Sequence, residues 1–274
     1  MIHNFYAFIA SHAPHLRKHA FRFAYNVMSR FIFSGEPIAF LNYGYADDNT
    51  EMFRENLKAP DREDHLSIRL YSRLLDEIPI AHKRVMDVGC GRGGGSSYIA
   101  RYLRPAEIVG VDYSTRSITF CNRHHKVENL QFRVGDAENL RVEPNRFDVI
   151  VNVESSLAYS DESAFFASAR RILAPNGLLC FCDVRPSNRL VELERKIDES
   201  QLQLVWKSDI STNILRALRV GSESRTQMIR QTFPKVMQQS AFDWAGVEGG
   251  AVARSFADGS RSYIACVLQK TVNR

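Results

Sequence analysis

Between residues 84 and 181, short apolar runs alternate with amphipathic stretches, and each run ends on an acid or an amide. Val85-Met86 leads into Asp87, and Ile108-Val109-Gly110-Val111 ends at Asp112. Leu130-Gln131-Phe132-Arg133-Val134 alternates and stops at Gly135-Asp136-Ala137-Glu138, and Val149-Ile150-Val151 reaches Asn152-Val153-Glu154. Between these runs lie helical patterns, one over residues 97–103 closed by Arg104-Pro105 and one over Arg170-Arg171-Ile172, which precedes Leu178-Leu179-Cys180-Phe181. Strands alternating with helices predict crossover units and a doubly wound, mostly parallel α/β sheet. Ligands of such sheets sit outside the carboxyl ends of the strands, where these acids fall.

Asp87-Val88-Gly89-Cys90-Gly91-Arg92-Gly93-Gly94-Gly95-Ser96 carries the chain from the first strand into a helix. Glycines permit a tight turn and close approach to a ligand, and the helix start offers unpaired N–H groups. Gly89, Gly91 and Gly94 also match the G-x-G-x-x-G spacing of dinucleotide-binding proteins. Asp112, at the next strand end, can accept from both hydroxyls of a ribose, which suits either class. Asp87 is more discriminating, because a carboxylate two residues before the first glycine suits a cofactor with an ammonium nearby. A hydride-transfer reading lacks its Tyr-x-x-x-Lys pair: Ser163 follows Tyr159 at that spacing, and Leu75 follows Tyr71. Taken singly, each acid is also compatible with helix capping or a solvated loop end.

With these acids in register, residues 83–184 resemble the class I S-adenosylmethionine-dependent methyltransferases. The resemblance implies a Rossmann-like, seven-stranded sheet and a S-adenosylmethionine site. By that resemblance Asp136 accepts from the adenine amine, and the backbone after it meets the ring. The implied cofactor residues are Tyr43, Asp87, Gly89, Cys90, Gly91, Gly93, Asp112, Tyr113, Asp136, Ala137, Glu138 and Asn152.

The flanks differ from the core. Eleven of the chain's 29 aromatic residues fall in residues 1–45, and residues 17–33 carry a helical apolar stripe edged by Arg17, Lys18, Arg22 and Arg30. That stripe suits a helix packed on the sheet or a lid over an apolar substrate in peripheral contact with a membrane. Asn42-Tyr43-Gly44-Tyr45 is expected over the methyl donor. Residues 185–240 read as two or three helices, among them 188–204 and 225–239, followed by strands over 242–248 and 262–269. The expected organisation is an aromatic helical cap (1–80), a cofactor-binding core (81–184), a helical insertion before the last two strands (185–240) and those two strands (241–274).

A net charge of +5 permits an acidic partner without requiring one. Asn152-Val153-Glu154-Ser155 stands where amino methyltransferases of nucleic acids carry a Pro-Pro motif, so no nucleic acid partner is expected. The five cysteines lack zinc-ligand spacing and read as buried free thiols of a reducing compartment. No run of eighteen apolar residues occurs, and the amino terminus makes a poor secretion signal, so a cytoplasmic protein is expected.

A narrower resemblance, to the phthiotriolone and phenolphthiotriolone dimycocerosate methyltransferases, spans most of the chain. It rests on Ile38-Ala39-Phe40-Leu41-Asn42-Tyr43-Gly44-Tyr45, Gly135-Asp136-Ala137-Glu138-Asn139-Leu140, Asn152-Val153-Glu154-Ser155-Ser156, Asp183-Val184-Arg185-Pro186-Ser187-Asn188 and Ser262-Tyr263. It implies O-methylation of a hydroxyl on a hydrophobic lipid or polyketide. The group carries a His after Asn-Val-Glu, just before an aromatic; this chain has Leu157-Ala158-Tyr159 there. The catalytic candidates are therefore Glu154 and Tyr159, with Glu154 equally able to cap the helix starting near Asp161. His124 and His125 read as surface or packing residues. No metal is assigned, since Asp183 is followed by Val184 rather than by the Asn of a catechol-type site. Carbon methylation of a sterol- or quinone-like acceptor and a non-catalytic binding module remain the alternatives, and the oligomeric state is left open.

Overall fold

In the computed structural model, residues 38–271 are described; the helix expected over residues 17–33 lies outside them. The apolar runs become the strands β1 (Arg84–Val88), β2 (Glu107–Asp112), β3 (Leu130–Val134), β4 (Phe147–Val153) and β5 (Leu173–Pro186). With β6 (Gln203–Asp209) and β7 (Arg261–Gln269) they form one seven-stranded sheet ordered β3-β2-β1-β4-β5-β7-β6. Strands β1 to β5 pair in parallel, and β7 runs antiparallel to both β5 and β6. Chain order reverses between β1 and β4, the switch point at which open α/β sheets bind ligands.

Both faces of the sheet are covered, which is why its central strands read as nearly continuous apolar runs. Alternate residues of a strand point to opposite faces, so Val85 joins one core with Ile99, Ile108 and Tyr263. Met86 joins the other with Ile150, Phe165 and Phe181. The register of β1 on β4 is pinned at the far edge by Arg84, which gives Asp148 hydrogen bonds from its backbone N–H at 2.8 Å, from Nε at 3.1 Å and from Nη2 at 2.8 Å.

The helices are α1 (Thr50–Asn56), α2 (His65–Leu75), α3 (Gly94–Tyr102), α4 (Thr115–His124), α5 (Glu162–Ile172) and α6 (Leu190–Glu199). After β6 come α7 (Ser211–Val220), α8 (Ser222–Thr232), α9 (Lys235–Ala245) and α10 (Ala251–Ala257). Side chains cap two of the core helices: Ser114 accepts from the Ser117 N–H, and Asp161 from the Ala164 N–H. No helix of the described residues is long and apolar enough to cross a membrane.

The second half departs from expectation in three places. The strand expected over residues 242–248 is instead the end of α9 and a turn; Gly246 closes the helix at φ 69°. The sixth strand is Gln203–Asp209, and most of the helical insertion therefore lies between the last two strands rather than before both. Its signal was hidden because β6 is an edge strand with Leu204 and Val205 exposed, so its apolar residues do not alternate inward. The helix expected over 188–204 stops at Glu199, where Gln201 takes a left-handed φ of 59°. The helix expected over 225–239 is broken at Pro234, which cannot donate to the preceding turn.

Candidate active site

A cavity of about 350 Å³ opens at the carboxyl edge of the sheet. Gly89, Cys90 and Gly91 line it after β1, Asp112 and Tyr113 after β2, Asp136, Ala137 and Glu138 after β3, and Glu154 and Tyr159 after β4. Tyr43 lines it from residues 38–46, a segment outside the sheet, and Met228 and Trp244 line it from α8 and α9. Asp87, Gly93 and Asn152 are not in its lining.

On the β1–β3 side, five backbone amides and two carboxylates define the geometry. The Gly89 and Cys90 N–H groups donate to the Val111 carbonyl at 2.7 and 3.1 Å, which bends the glycine turn onto β2. Asp112 accepts from the Gly91 N–H at 2.9 Å on one oxygen and from the Ser114 N–H at 2.8 Å on the other. A carboxylate offers about four lone-pair sites, so each oxygen keeps one for a ligand hydroxyl. Burial raises its pKa to about 6 against those two hydrogen bonds. Asp136 accepts from the Glu138 N–H at 3.0 Å, folding the residues after β3 into a turn where the alternation was expected to stop.

Asp87 lies fully buried behind this turn. Ser96 Oγ donates to its Oδ2 at 2.6 Å, while Oδ1 has no hydrogen-bond partner. Burial lifts its pKa to about 7. An orphaned carboxylate oxygen is costly unless a cation or donor joins it. Two glycines show what the turn is for. A Cβ at Gly91, φ 55°, would meet nothing within 4 Å, so the backbone there faces open cavity. A Cβ at Gly93 would strike the Phe132 ring at 2.6 Å, so Gly93 serves packing. The buried acid, the bare backbone and the two acidic strand ends fit an adenosyl cofactor carrying an ammonium.

The β4–β5 side is built differently. Glu154 holds a left-handed φ of 51°, a conformation costing a non-glycine residue about 1–3 kcal/mol that its surroundings must impose. Its N–H donates to the Cys182 carbonyl at 2.9 Å. Its Oε1 accepts from the Tyr43 N–H and from the Tyr263 hydroxyl, each at 2.9 Å, and Oε2 takes neither bond. Burial pushes the carboxyl up to about 8, close to neutral pH. It does not cap α5; Asp161 does. Tyr159 contacts Ser155 Oγ at 2.8 Å and accepts from Asn152 Nδ2 at 2.8 Å. Burial drives its hydroxyl far above the ordinary range, so it acts as a hydrogen-bonding group and not as a phenolate. The same Asn152 Nδ2 donates to the Val88 carbonyl at 2.8 Å, tying the loop after β4 to β1.

That loop rests on a buried ionic chain. Asp183 accepts from Ser156 Oγ at 2.7 Å and the Leu157 N–H at 2.9 Å, and pairs with Arg185 at 3.3 Å. Arg185 also pairs with Glu162, which meets Lys196 at 2.8 Å. Breaking such a buried pair by removing one partner costs about 3–5 kcal/mol. His125 is a packing residue: its ring lies 5.6 Å from Phe132, and Nε2 sits 2.8 Å from the Arg92 carbonyl. Among the described residues no group of three or more His, Cys, Asp or Glu side chains is gathered as a metal site, and all five cysteines are buried and free.

Two residues were given no role by sequence reasoning. Tyr263 entered only through the Ser262-Tyr263 match to the narrower group, and its hydroxyl on Glu154 gives it a role. Arg225, on a polar helix, reads as a solvated charge; in the structure Nη2 donates to the Tyr43 carbonyl at 2.7 Å.

Strand order, switch point and acidic strand ends together define a class I methyltransferase architecture. A family model described as a methyltransferase domain matches residues 80–244. The chain is 32% identical over 262 residues to a phthiotriol/phenolphthiotriol dimycocerosates methyltransferase of Mycobacterium leprae, covering 96% of this chain and 95% of the relative. It is 33% identical to a fatty-acid O-methyltransferase of Mycolicibacterium smegmatis over 79% of this chain and 77% of that one. Among solved structures, a cyclopropane synthase from Mycobacterium tuberculosis shares the fold with a TM-score of 0.66 at 17% identity, covering 90% of this chain and 95% of that chain. The chain therefore belongs to the S-adenosylmethionine-dependent methyltransferase family, within the group of the phthiotriol and phenolphthiotriol dimycocerosates enzymes.

Proposed function

We propose that the chain methylates a hydroxyl oxygen on a hydrophobic lipid- or polyketide-type acceptor, with Glu154 as the proton acceptor. The observation that carries this reading is the Glu154 carboxyl, anchored through Oε1 and free at Oε2 beside a cavity. When bound, S-adenosylmethionine supplies a methyl group already activated on a sulfonium. The chain must then bind, align and keep water out, for which proximity alone is worth about 7–11 kcal/mol. Asp112 takes the ribose hydroxyls, Asp136 the adenine amine, and Asp87 lends negative charge toward the ammonium.

A neutral hydroxyl gains nucleophilicity as its proton leaves. Glu154 Oε2 takes that proton as the O–CH₃ bond forms, a contribution of about 10²–10⁴-fold. Tyr159 and Asn152 hold the loop that presents Glu154. Apolar contact for the acceptor comes from Leu41, Met228, Trp244 and Leu157. The names of the relatives support a lipid-type acceptor: one acts on phthiotriol dimycocerosates, another on fatty acids. A carboxylate acceptor would bring a second acid beside Glu154, where Arg225 is already engaged with carbonyls.

The test is a panel of a long-chain secondary alcohol, a fatty acid of equal length and a sterol, with S-adenosylmethionine carrying a carbon-13 methyl. The expected product is the methyl ether, recognised by its oxygen-bound methyl shift. A methyl ester alone, or a carbon-bound methyl, would overturn the reading.

A further inference from the structure

Two donors hold Glu154 Oε1, and they are not equally secure. The Tyr263 hydroxyl stands on β7, a strand flanked by β5 and β6; Tyr263 is fully buried and pairs with Val184. The Tyr43 N–H stands on a segment that belongs to no strand. That segment is pinned nearby by the Tyr45 N–H to the Leu66 carbonyl at 3.0 Å and by Asn42 Nδ2 to the Ser67 carbonyl at 3.3 Å. At Tyr43 itself the carbonyl is held by Arg225 Nη2 at 2.7 Å, a contact spanning 182 residues of chain.

Arg225 belongs to α8, the helix that also presents Met228 to the cavity. Its other terminal nitrogen, Nη1, reaches the Ala217 and Leu218 carbonyls at 3.5 and 3.4 Å, in the last turn of α7. The partial negative charge of a helix C-terminus suits a guanidinium there. Among the described residues Arg225 makes no ion pair with a carboxylate, so its charge is spent on three carbonyls, one of them Tyr43's.

We propose that Arg225 is a positioning residue, coupling the docking of helix α8 to the proton acceptor Glu154 through the backbone of Tyr43. This inference rests on Glu154 being the proton acceptor. With α8 seated over the cavity, Arg225 fixes the Tyr43 carbonyl, and the N–H of the same residue points at Glu154 Oε1. Displacement of α8 would take that anchor from Tyr43 and, with it, one of the two donors from Glu154. The carboxylate is thereby fully supported only with α8 in place.

The groups facing Glu154 come from each element around it: Tyr43, Tyr71 of α2, Cys182 and Asp183 of β5, Arg225 of α8 and Tyr263 of β7. Burial and Asp183 favour its protonated form, while the Tyr43 and Tyr263 hydrogen bonds and the Arg225 charge favour the carboxylate. Removing Arg225 subtracts a charge and loosens a hydrogen bond in the same direction.

The full chain, saturated with S-adenosylhomocysteine and carrying carbon-13 glutamate carboxyls, allows the Glu154 carboxyl to be titrated by NMR without an acceptor. Its resonance is assigned by its loss in Glu154→Gln. In Arg225→Met its midpoint is expected to rise by about one pH unit, and the Tyr43 amide to exchange about tenfold faster or more. Arg225→Lys, which keeps the charge but loses the fork, should fall between. A wild-type midpoint with wild-type Tyr43 protection in folded Arg225→Met would overturn the coupling. Should that variant not fold, a wild-type midpoint in Arg225→Lys would do the same. Undiminished methyl transfer by Glu154→Gln would remove the base reading yet leave this coupling measurable, so the two failures are distinguishable.

Discussion

The two sides of the cavity are made in opposite ways. On the β1–β3 side, Asp87, Asp112 and Asp136 come from strand ends within fifty residues of one another, each fixed by its own strand and the following turn. On the β4–β5 side, Tyr43, Glu154, Arg225 and Tyr263 converge from four regions of the chain and are held by two side chain to backbone contacts and one between side chains. On the proposed function, a donor site of local motifs can be kept constant while an acceptor site of distant contacts is altered by changing lid and flank. The difference also separates what each side should lose on mutation.

The largest expected effect is on the acceptor side. Glu154→Gln keeps the shape and removes the proton acceptor, so turnover on the best alcohol of the panel should fall about 10²–10⁴-fold. Single-turnover methyl transfer measures it, and an unimpaired variant would dissolve the distinction between the two sides. Next comes the glycine turn. Gly91→Ala would put a methyl into open cavity and is expected to weaken S-adenosylhomocysteine about tenfold or more, at a backbone cost of about 1–2 kcal/mol. Gly93→Ala, two residues on, meets the Phe132 ring instead and should cost about 1–3 kcal/mol of stability in a urea titration. If both variants lost the same property, the turn would not be divided between ligand and core.

A further effect is a slope in pH. Burial raises the carboxyls of Asp87, Asp112 and Glu154 to about 7, 6 and 8. Each binds its proton more tightly folded than unfolded, so its stabilisation is complete below its unfolded value near 4 and is lost as pH rises through those values. Asp148 works the other way: hydrogen bonding to Arg84 holds it low, and its contribution is lost as pH falls. Between pH 5.5 and 8 the Tm of the cofactor-free protein should fall, each pH unit between a group's unfolded and folded pKa removing about 1.4 kcal/mol. Asp87→Asn should flatten that decline; an unchanged decline would mean the buried acid does not titrate in this range.

The same contrast explains how far the sequence could be read. Strand ends announce themselves, because an apolar run stopping at Asp112 or an alternating one stopping at Asp136 fixes both the element and its ligand edge. Glu154 was visible for the same reason, though whether it capped α5 or faced the cavity depended on its left-handed backbone, which no spacing reveals. Arg225 carried no signal, and Tyr263 entered only through the Ser262-Tyr263 match, with no role; a lone Arg on a polar helix and a Tyr in an apolar strand are ordinary until the fold brings them to residues 43 and 154. The lid was misread where Pro234 broke a helical pattern and where β6, exposed at the sheet edge, lacked inward alternation.

The most direct measurement is isothermal titration of S-adenosylhomocysteine into Asp112→Ala and Glu154→Gln side by side. Loss of hydrogen bonds to a charged carboxylate, about 1.5–3 kcal/mol each, should weaken binding to Asp112→Ala by about 10²–10³-fold. Glu154→Gln should bind within about threefold of wild type. Wild-type affinity in Asp112→Ala, or its collapse in Glu154→Gln alone, would contradict the division of the cavity into a donor side and an acceptor side.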